Sequence, residues 1–272
     1  MMKPVDKNEL SSMIEGNLIK HWMYLKQTEA SVYIDEANFK YIKALPYNRV
    51  LYADWLDVAI QDQKIEINRL VEQYDGEGDP LMWIIGPSTT PNDIDRTLMK
   101  IGFEHVQGWT GMAISLSDRS FKTNDRDGFQ FRQVTSAEDL KKWIDVYIEG
   151  YQRPAAGKQA IFNRFEQIIN KKQREYRLYL GLYNGDPAVV GTLFLDDDIA
   201  GLYCIATAPN MRRTGLAAAY LQYLLDEARR QGAAHCVLHA TEAGKPLYEK
   251  LGFESNCTFQ VFLYKDHGSD GY

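Results

Sequence analysis

The sequence predicts an α+β (α/β) chain built on a mixed sheet, and three observations carry that prediction. Strand-like and amphipathic helical segments alternate along the second half of the 272 residues. Asn184-Gly185 between two apolar runs marks a hairpin, and so an antiparallel pair. A long helical pattern after Pro209 lies between two strand patterns and must carry the chain from one strand to a neighbouring one.

The elements follow in order from about residue 129. Phe129 to Val134 alternates as a strand, and Ser136 stands as an N-cap before apolar Leu140, Trp143, Ile144 and Tyr147 at helical spacing. A second helix covers about Lys158 to Lys172. The basic residues Lys171, Lys172, Arg174 and Arg177 read as its solvated end. Tyr176 to Tyr183 and Ala188 to Leu195 are the hairpin strands, with Asp186-Pro187 lengthening the loop. Asp196, Asp197 and Asp198 form the next turn, and Ile199 to Ala206 returns as a strand. The long helix puts Leu216, Tyr220, Leu221, Leu224, Leu225 and Ala228 on one face and stops at Gly232. His235 to Ala240 is a strand, about Ala243 to Leu251 a short helix and Asn256 to Tyr264 a last strand. The order is β-α-α-β-β-β-α-β-α-β.

The first half gives a fainter version of that ending: a strand at Trp83 to Gly86, a helix at Ile94 to Ile101, a stop at Gly102 and a strand at Trp109 to Leu116. Lys100-Ile101-Gly102-Phe103-Glu104 parallels Lys250-Leu251-Gly252-Phe253-Glu254, which implies an internal repeat. The polar segment Ser117 to Gly128 reads as a linker or turn. The expected units are 1–120 and 126–272, in line with ordinary domain sizes.

Composition is that of a globular protein: 45% hydrophobic, 25% charged, formal net charge −6. The acidic balance argues against nucleic acid as partner. No apolar run approaches the length of a membrane span, and no apolar leader is evident at the N-terminus. A cytoplasmic location is therefore expected, without membrane association. Cys204, Cys236 and Cys257 fall in apolar strand-like stretches and read as reduced thiols. No CxxC or HExxH-type spacing occurs, so no metal is expected. Oligomeric state stays open.

The chemically informative stretch runs from Ile205 to Ala217: a strand end, a proline turn and a glycine-bearing helix start. A helix N-terminus exposes unpaired N–H groups that favour an anion, and Gly215 and Ala217 remove bulk in front of them. Arg212 and Arg213 add charge suited to a diphosphate; the alternative is that they point into solvent.

Arg212-Arg213-Thr214-Gly215-Leu216-Ala217 resembles the Arg/Gln-x-x-Gly-x-Gly/Ala pyrophosphate signature of the GNAT superfamily of acyl-CoA N-acyltransferases. His239 to Tyr248, followed by Leu251-Gly252-Phe253, resembles that family's terminal motif. The resemblance covers about residues 129–264 and extends to the first half as a degenerate copy. It implies a mostly antiparallel central sheet flanked by helices, present twice, and an N-acetyltransferase moving an acetyl or other short acyl group from acetyl-CoA to a primary amine by direct attack in a ternary complex. An alternative is a catalytically weak acetyl-CoA-binding sensor or partner-binding module.

By the same resemblance, Ile205, Ala206 and Thr207 would meet the pantetheine arm, and Arg212, Arg213, Thr214, Gly215, Leu216 and Ala217 the pyrophosphate. Thr241 stands where many members carry an asparagine, and Tyr248 matches the tyrosine near the thioester sulfur. Packing on the sheet is the other reading of Tyr248. The place of the strand carboxylate that serves some members as base is Gly201, with Tyr203 next on the same face. The first half, lacking the signature, is expected to wall an acceptor cleft between the halves, or simply to stabilise the second domain. Asp196 to Asp198 are expected to attract a protonated small or peptidyl amine there.

Overall fold

The computed structural model describes residues 6–73, 79–117, 119, 121 and 127–264. In the first half come α1 (Lys7–Met23), β1 (Val32–Glu36), β2 (Phe39–Ala44), β3 (Tyr47–Ala53), α2 (Ile60–Glu72), β4 (Met82–Ile85), α3 (Ile94–Ile101) and β5 (Phe103–Ser115). The second half continues with β6 (Phe129–Gln133), α4 (Ala137–Tyr151), α5 (Lys158–Asn170), β7 (Tyr176–Tyr183), β8 (Asp186–Asp196) and β9 (Ile199–Thr207). It closes with α6 (Leu216–Arg230), β10 (His235–Ala240), α7 (Lys245–Lys250) and β11 (Glu254–Tyr264).

Local chemistry explains the element ends. Asp6 caps α1 by accepting from the N–H groups of Asn8 and Glu9, and Ser136 caps α4 by accepting from Asp139. Asn184 and Gly185 both have positive φ, and Tyr183 pairs directly with Asp186. The hairpin loop thus has two residues, and Asp186-Pro187 belongs to β8 instead of lengthening the turn. Pro187 is tolerated because a bulge interrupts the β7 ladder between Gly181 and Leu182, and the β9 ladder begins only at Val189. Gly102 and Gly252, both left-handed, end α3 and α7, and each is followed by a phenylalanine entering a long strand. The strand after Gly102 starts at Phe103, well before the expected Trp109. Its first residues are mostly exposed and show no apolar alternation.

The eleven strands among the described residues form one sheet in the order β1-β2-β3-β4-β11-β5-β10-β9-β8-β7-β6. It is mostly antiparallel; among the described strands only β3·β4 and β9·β10 run parallel. The two parallel pairs are bridged by α2 and α6, which supply the crossover that parallel strands need. At the centre the closing strands are interchanged. β5, from the first half, pairs with β10 of the second, and β11 pairs with β4 of the first, while β5 and β11 pair with each other.

One apolar cluster lies beneath α1, α4 and α5, and another beneath α6 and α7. Alternation along β10 serves both: Val237 faces the first, Cys236 and Leu238 the second. A third cluster fills the first half around Trp83. Helix α1 lies across β9, β10, β5 and β11, so the first helix of the chain covers one face of the second half's sheet. No helix among the described residues is long and apolar enough to cross a membrane.

Candidate active site

The site begins where a parallel pair comes apart. β9 and β10 pair from Ile199↔His235 to Leu202↔Leu238 and no further. Just beyond, β9 carries a bulge: its pairing with β8 steps from Thr192↔Tyr203 to Val190↔Ala206, so Cys204 and Ile205 stand opposite Gly191 alone. Cys204 has φ +54, a left-handed conformation unusual for its type. A bulge bends its strand and sharpens the twist, which turns Tyr203–Thr207 away from His239 and Ala240. Gly191 permits the close approach, since a Cβ there would lie 2.5 Å from Ile205 Cδ1. On the far side a Cβ on Gly150 would lie 2.7 Å from that of Ala206.

The open end of β9 leads through a short turn at Pro209–Met211 to α6. Arg213 has φ +61 and Gly215 φ +84, and α6 starts at Leu216 without a side-chain cap. Ala219 is the first residue whose N–H bonds back, to the Gly215 carbonyl, so the first-turn N–H groups point out of the helix. Arg212 reaches protein acceptors: Nε donates to the Thr207 carbonyl at 3.3 Å and Nη2 to the Gly150 carbonyl at 2.8 Å. It clamps the loop to the C-terminal turn of α4, where a cation is favoured. The arginine pair therefore does not need an anion to explain both members. Arg213 is exposed, and the Thr214 hydroxyl donates to the Met211 carbonyl at 2.7 Å.

The other expected residues fall around this opening. The Ile205 carbonyl accepts from the Tyr151 hydroxyl at 3.2 Å, and the Ala206 side chain is buried. The Thr241 hydroxyl accepts from Gly244 N–H within the turn that starts α7. Tyr248 is half-buried, with its ring edge-on to Phe253 at 5.9 Å. Its hydroxyl makes no hydrogen bond to any described residue, and burial pushes its pKa up to about 12.

A carboxylate at Gly201 has no room. A Cβ on Gly201 would lie 2.0 Å from Asn17 Oδ1 and 2.4 Å from the Tyr203 ring. The Tyr203 hydroxyl donates to Asn17 Oδ1 at 2.7 Å, and its ring stacks on His21 at 3.7 Å. Helix α1 thus occupies the space in front of that strand. Asp196 ends β8 opposite Ile199, at the end of β9 remote from the opening, and its charge is paired with Lys20 at 2.7 Å. The acidic turn is not placed to draw an amine into the opening. Among the described residues no group of three or more His, Cys, Asp or Glu stands ready to hold a metal.

His239, on β10, is a half-buried titratable group at the opening. Its ring lies 4.6 Å from Phe259, and neither ring nitrogen has a partner. Burial lowers its pKa from 6.5 to about 3, so the folded protein holds it neutral at physiological pH. Between those values the unfolded chain binds the extra proton, and stability falls as pH drops. At pH 5 the loss from His239 is about 2 kcal/mol. Urea midpoints measured from pH 7.5 to 5 should decline less steeply for His239→Leu; an unchanged slope contradicts this assignment.

Sequence reasoning did not single out Tyr151, Cys204, Asn17 or His21. Tyr151 and Cys204 look like ordinary strand and helix residues. The α1 pair belongs to a segment whose buried face mixes Ile14 and Leu18 with Glu15, Asn17 and His21.

Residues 139–253 match the acetyltransferase (GNAT) family. Among solved structures, a GCN5-related N-acetyltransferase from Kribbella flavida is similar over 96% of this chain and 98% of its own, at 16% identity and a TM-score of 0.68. A functionally unknown conserved protein from Staphylococcus epidermidis aligns over 89% of this chain and 97% of its own, at 12% identity and a TM-score of 0.62. A GCN5-related N-acetyltransferase from Sphaerobacter thermophilus aligns over 94% and 92%, at 13% identity and a TM-score of 0.61. Comparison with curated proteins gives no match. The family match thus lies within the second half of the chain, and the whole chain has a mixed α+β fold similar to that of the Kribbella flavida structure.

Proposed function

We propose that the protein is an N-acetyltransferase that moves an acetyl group from acetyl-CoA to a primary amine by direct attack in a ternary complex. The observation that carries this reading is the coincidence of two features at one end of the sheet. The parallel pair β9·β10 opens there, and α6 begins there without a cap behind left-handed Gly215. The diphosphate belongs on the N–H groups of residues 212–217, and the pantetheine arm along Ile205 to Thr207, where strand edges lie open.

Attack forms the C–N bond and places negative charge on the thioester oxygen. Collapse breaks the C–S bond and releases thiolate, while the amine gives up a proton. Backbone N–H groups at the opening stabilise the developing oxyanion. Tyr248 acts through a hydrogen bond: with its phenol at about 12 and a thiol near 8.5, full transfer of its proton to the thiolate runs uphill. The amine proton leaves to solvent, since no carboxylate fits at Gly201.

That same missing carboxylate favours the second reading, a catalytically weak acetyl-CoA-binding sensor or partner-binding module. Thiol release from acetyl-CoA over a panel of primary amines, with mass detection of the acetylated product, separates the two. Tyr248→Phe should lower kcat by roughly 10-fold or more while leaving acetyl-CoA affinity unchanged, because the bond acts chiefly in the transition state. A full-rate Tyr248→Phe variant assigns Tyr248 to packing.

We also read residues 1–120 as a degenerate copy of the unit at 126–272. What supports this is the shared succession: a parallel pair bridged by a helix, then a short helix, a left-handed glycine and a long strand given to the other half. The free cysteines fit the reducing cytoplasm.

A further inference from the structure

We infer that the acceptor amine carries a carboxylate, held between Arg49 and Arg153 where the two halves of the chain meet; this rests on the acetyltransferase reading above. Arg49, on β3, is only 5% exposed. Its Nη1 faces the Met82 sulfur at 2.7 Å, a weak acceptor, and its Nη2 lies 3.4 Å from Asp79 Oδ2. Nε, itself buried, has no partner among the described residues. Arg153 follows α4 in the second half; it pairs with the other oxygen of Asp79, and its Nε is also unpartnered.

One carboxylate therefore serves two sequestered guanidiniums. A buried charge is costly unless it is paired and its donors are satisfied. Among the described residues the neighbouring surfaces supply stacking but no second anion. Arg49 lies over Trp22 at 4.3 Å and over Tyr47 at 5.2 Å, and Arg153 lies 5.5 Å from the Tyr47 ring. Two forks with a free Nε each, one from either half, suit bidentate recognition of a carboxylate.

The pair is joined to the donor strand by an unbroken aromatic wall. The Tyr47 and Tyr147 hydroxyls are 3.3 Å apart, the Tyr147 ring is 5.1 Å from that of Tyr151, and the Tyr151 hydroxyl holds the Ile205 carbonyl. Because Tyr47, Tyr147 and Tyr151 separate Arg49 from the opening of β9, an amine set well away from its carboxylate fits better than an α-amino acid. Among the described residues the local charge is positive here, opposite to the attraction expected from Asp196 to Asp198.

The test measures binding of acetylated products, so it needs no turnover. The N-acetyl derivatives of glycine, 4-aminobutyrate and 6-aminohexanoate, each beside its carboxamide, are titrated into the protein at saturating CoA. A longer acid should bind at least 10-fold more tightly than its carboxamide. Arg153→Gln should erase the difference and Arg153→Lys restore part of it. Asp79→Asn, by removing the competing carboxylate, should strengthen acid binding, whereas a purely structural bridge would be damaged by either change. Equal binding of acids and carboxamides throughout, or a preference that survives in Arg153→Gln, overturns the proposal. Failure of CoA itself to bind instead defeats the acetyltransferase reading, and the acid and carboxamide titrations repeated without CoA then decide the carboxylate site alone.

Discussion

Residues 126–272 produced alone will not fold into the native second half. β11 would lose both neighbours: β4, paired over Gln260–Leu263, and β5, paired from Glu254 to Tyr264. β10 would lose its antiparallel partner along its whole length, from His235 to Ala240. The loss of α1 would uncover Val237, Phe259 and the Tyr203 ring, which stacks on His21 of that helix. Long bare strand edges beside exposed apolar surface pair with other chains. The expected result is aggregation, or a chain with no cooperative thermal transition by circular dichroism. Adding separately produced residues 1–120 should recover part of the folded signal. A monomeric fragment that melts cooperatively would show that the strand interchange is dispensable.

Gly215→Glu should abolish acetyl-CoA binding. The residue sits at φ +84 immediately before the first turn of α6. A side chain there costs about 1–2 kcal/mol in backbone conformation and places a carboxylate against the expected diphosphate. Charge-assisted hydrogen bonds contribute about 1.5–3 kcal/mol each, so losing two weakens binding by roughly 100-fold or more. Gly215→Ala carries the strain without the charge and should fall between. Calorimetric titration with acetyl-CoA, alongside a melting curve to confirm folding, reads this directly. Unchanged affinity in a folded Gly215→Glu variant removes the diphosphate from this loop.

The features legible in the sequence are those for which one local conformation demands one kind of residue. Asn184-Gly185 announced its hairpin, Gly102 and Gly252 their helix ends, Ser136 its cap, and Arg212 to Ala217 the loop at the start of α6. Pairing partners carry no such local mark. Phe103–Ser115 and Glu254–Tyr264 both follow a glycine and a short helix, and nothing in their alternation states that each joins the other half. β3 hides for a related reason: Asn48 and Arg49 are buried beside Val50 and Leu51, so the segment shows neither polar-apolar alternation nor a simple apolar run. The opening of β9 depends on a bulge at Cys204, a residue type that does not ordinarily signal positive φ. The acceptor region lay out of reach as well, because Arg49, Asp79 and Arg153 come together only when the halves do.

The most direct test of the account is a structure of the protein with acetyl-CoA bound. The account predicts the pyrophosphate against the N–H groups of residues 212–217 and the pantetheine arm between Tyr203–Thr207 and His239–Ala240, with the thioester sulfur within hydrogen-bond reach of the Tyr248 hydroxyl. Acetyl-CoA bound anywhere else, with the β9·β10 opening left vacant, would contradict it.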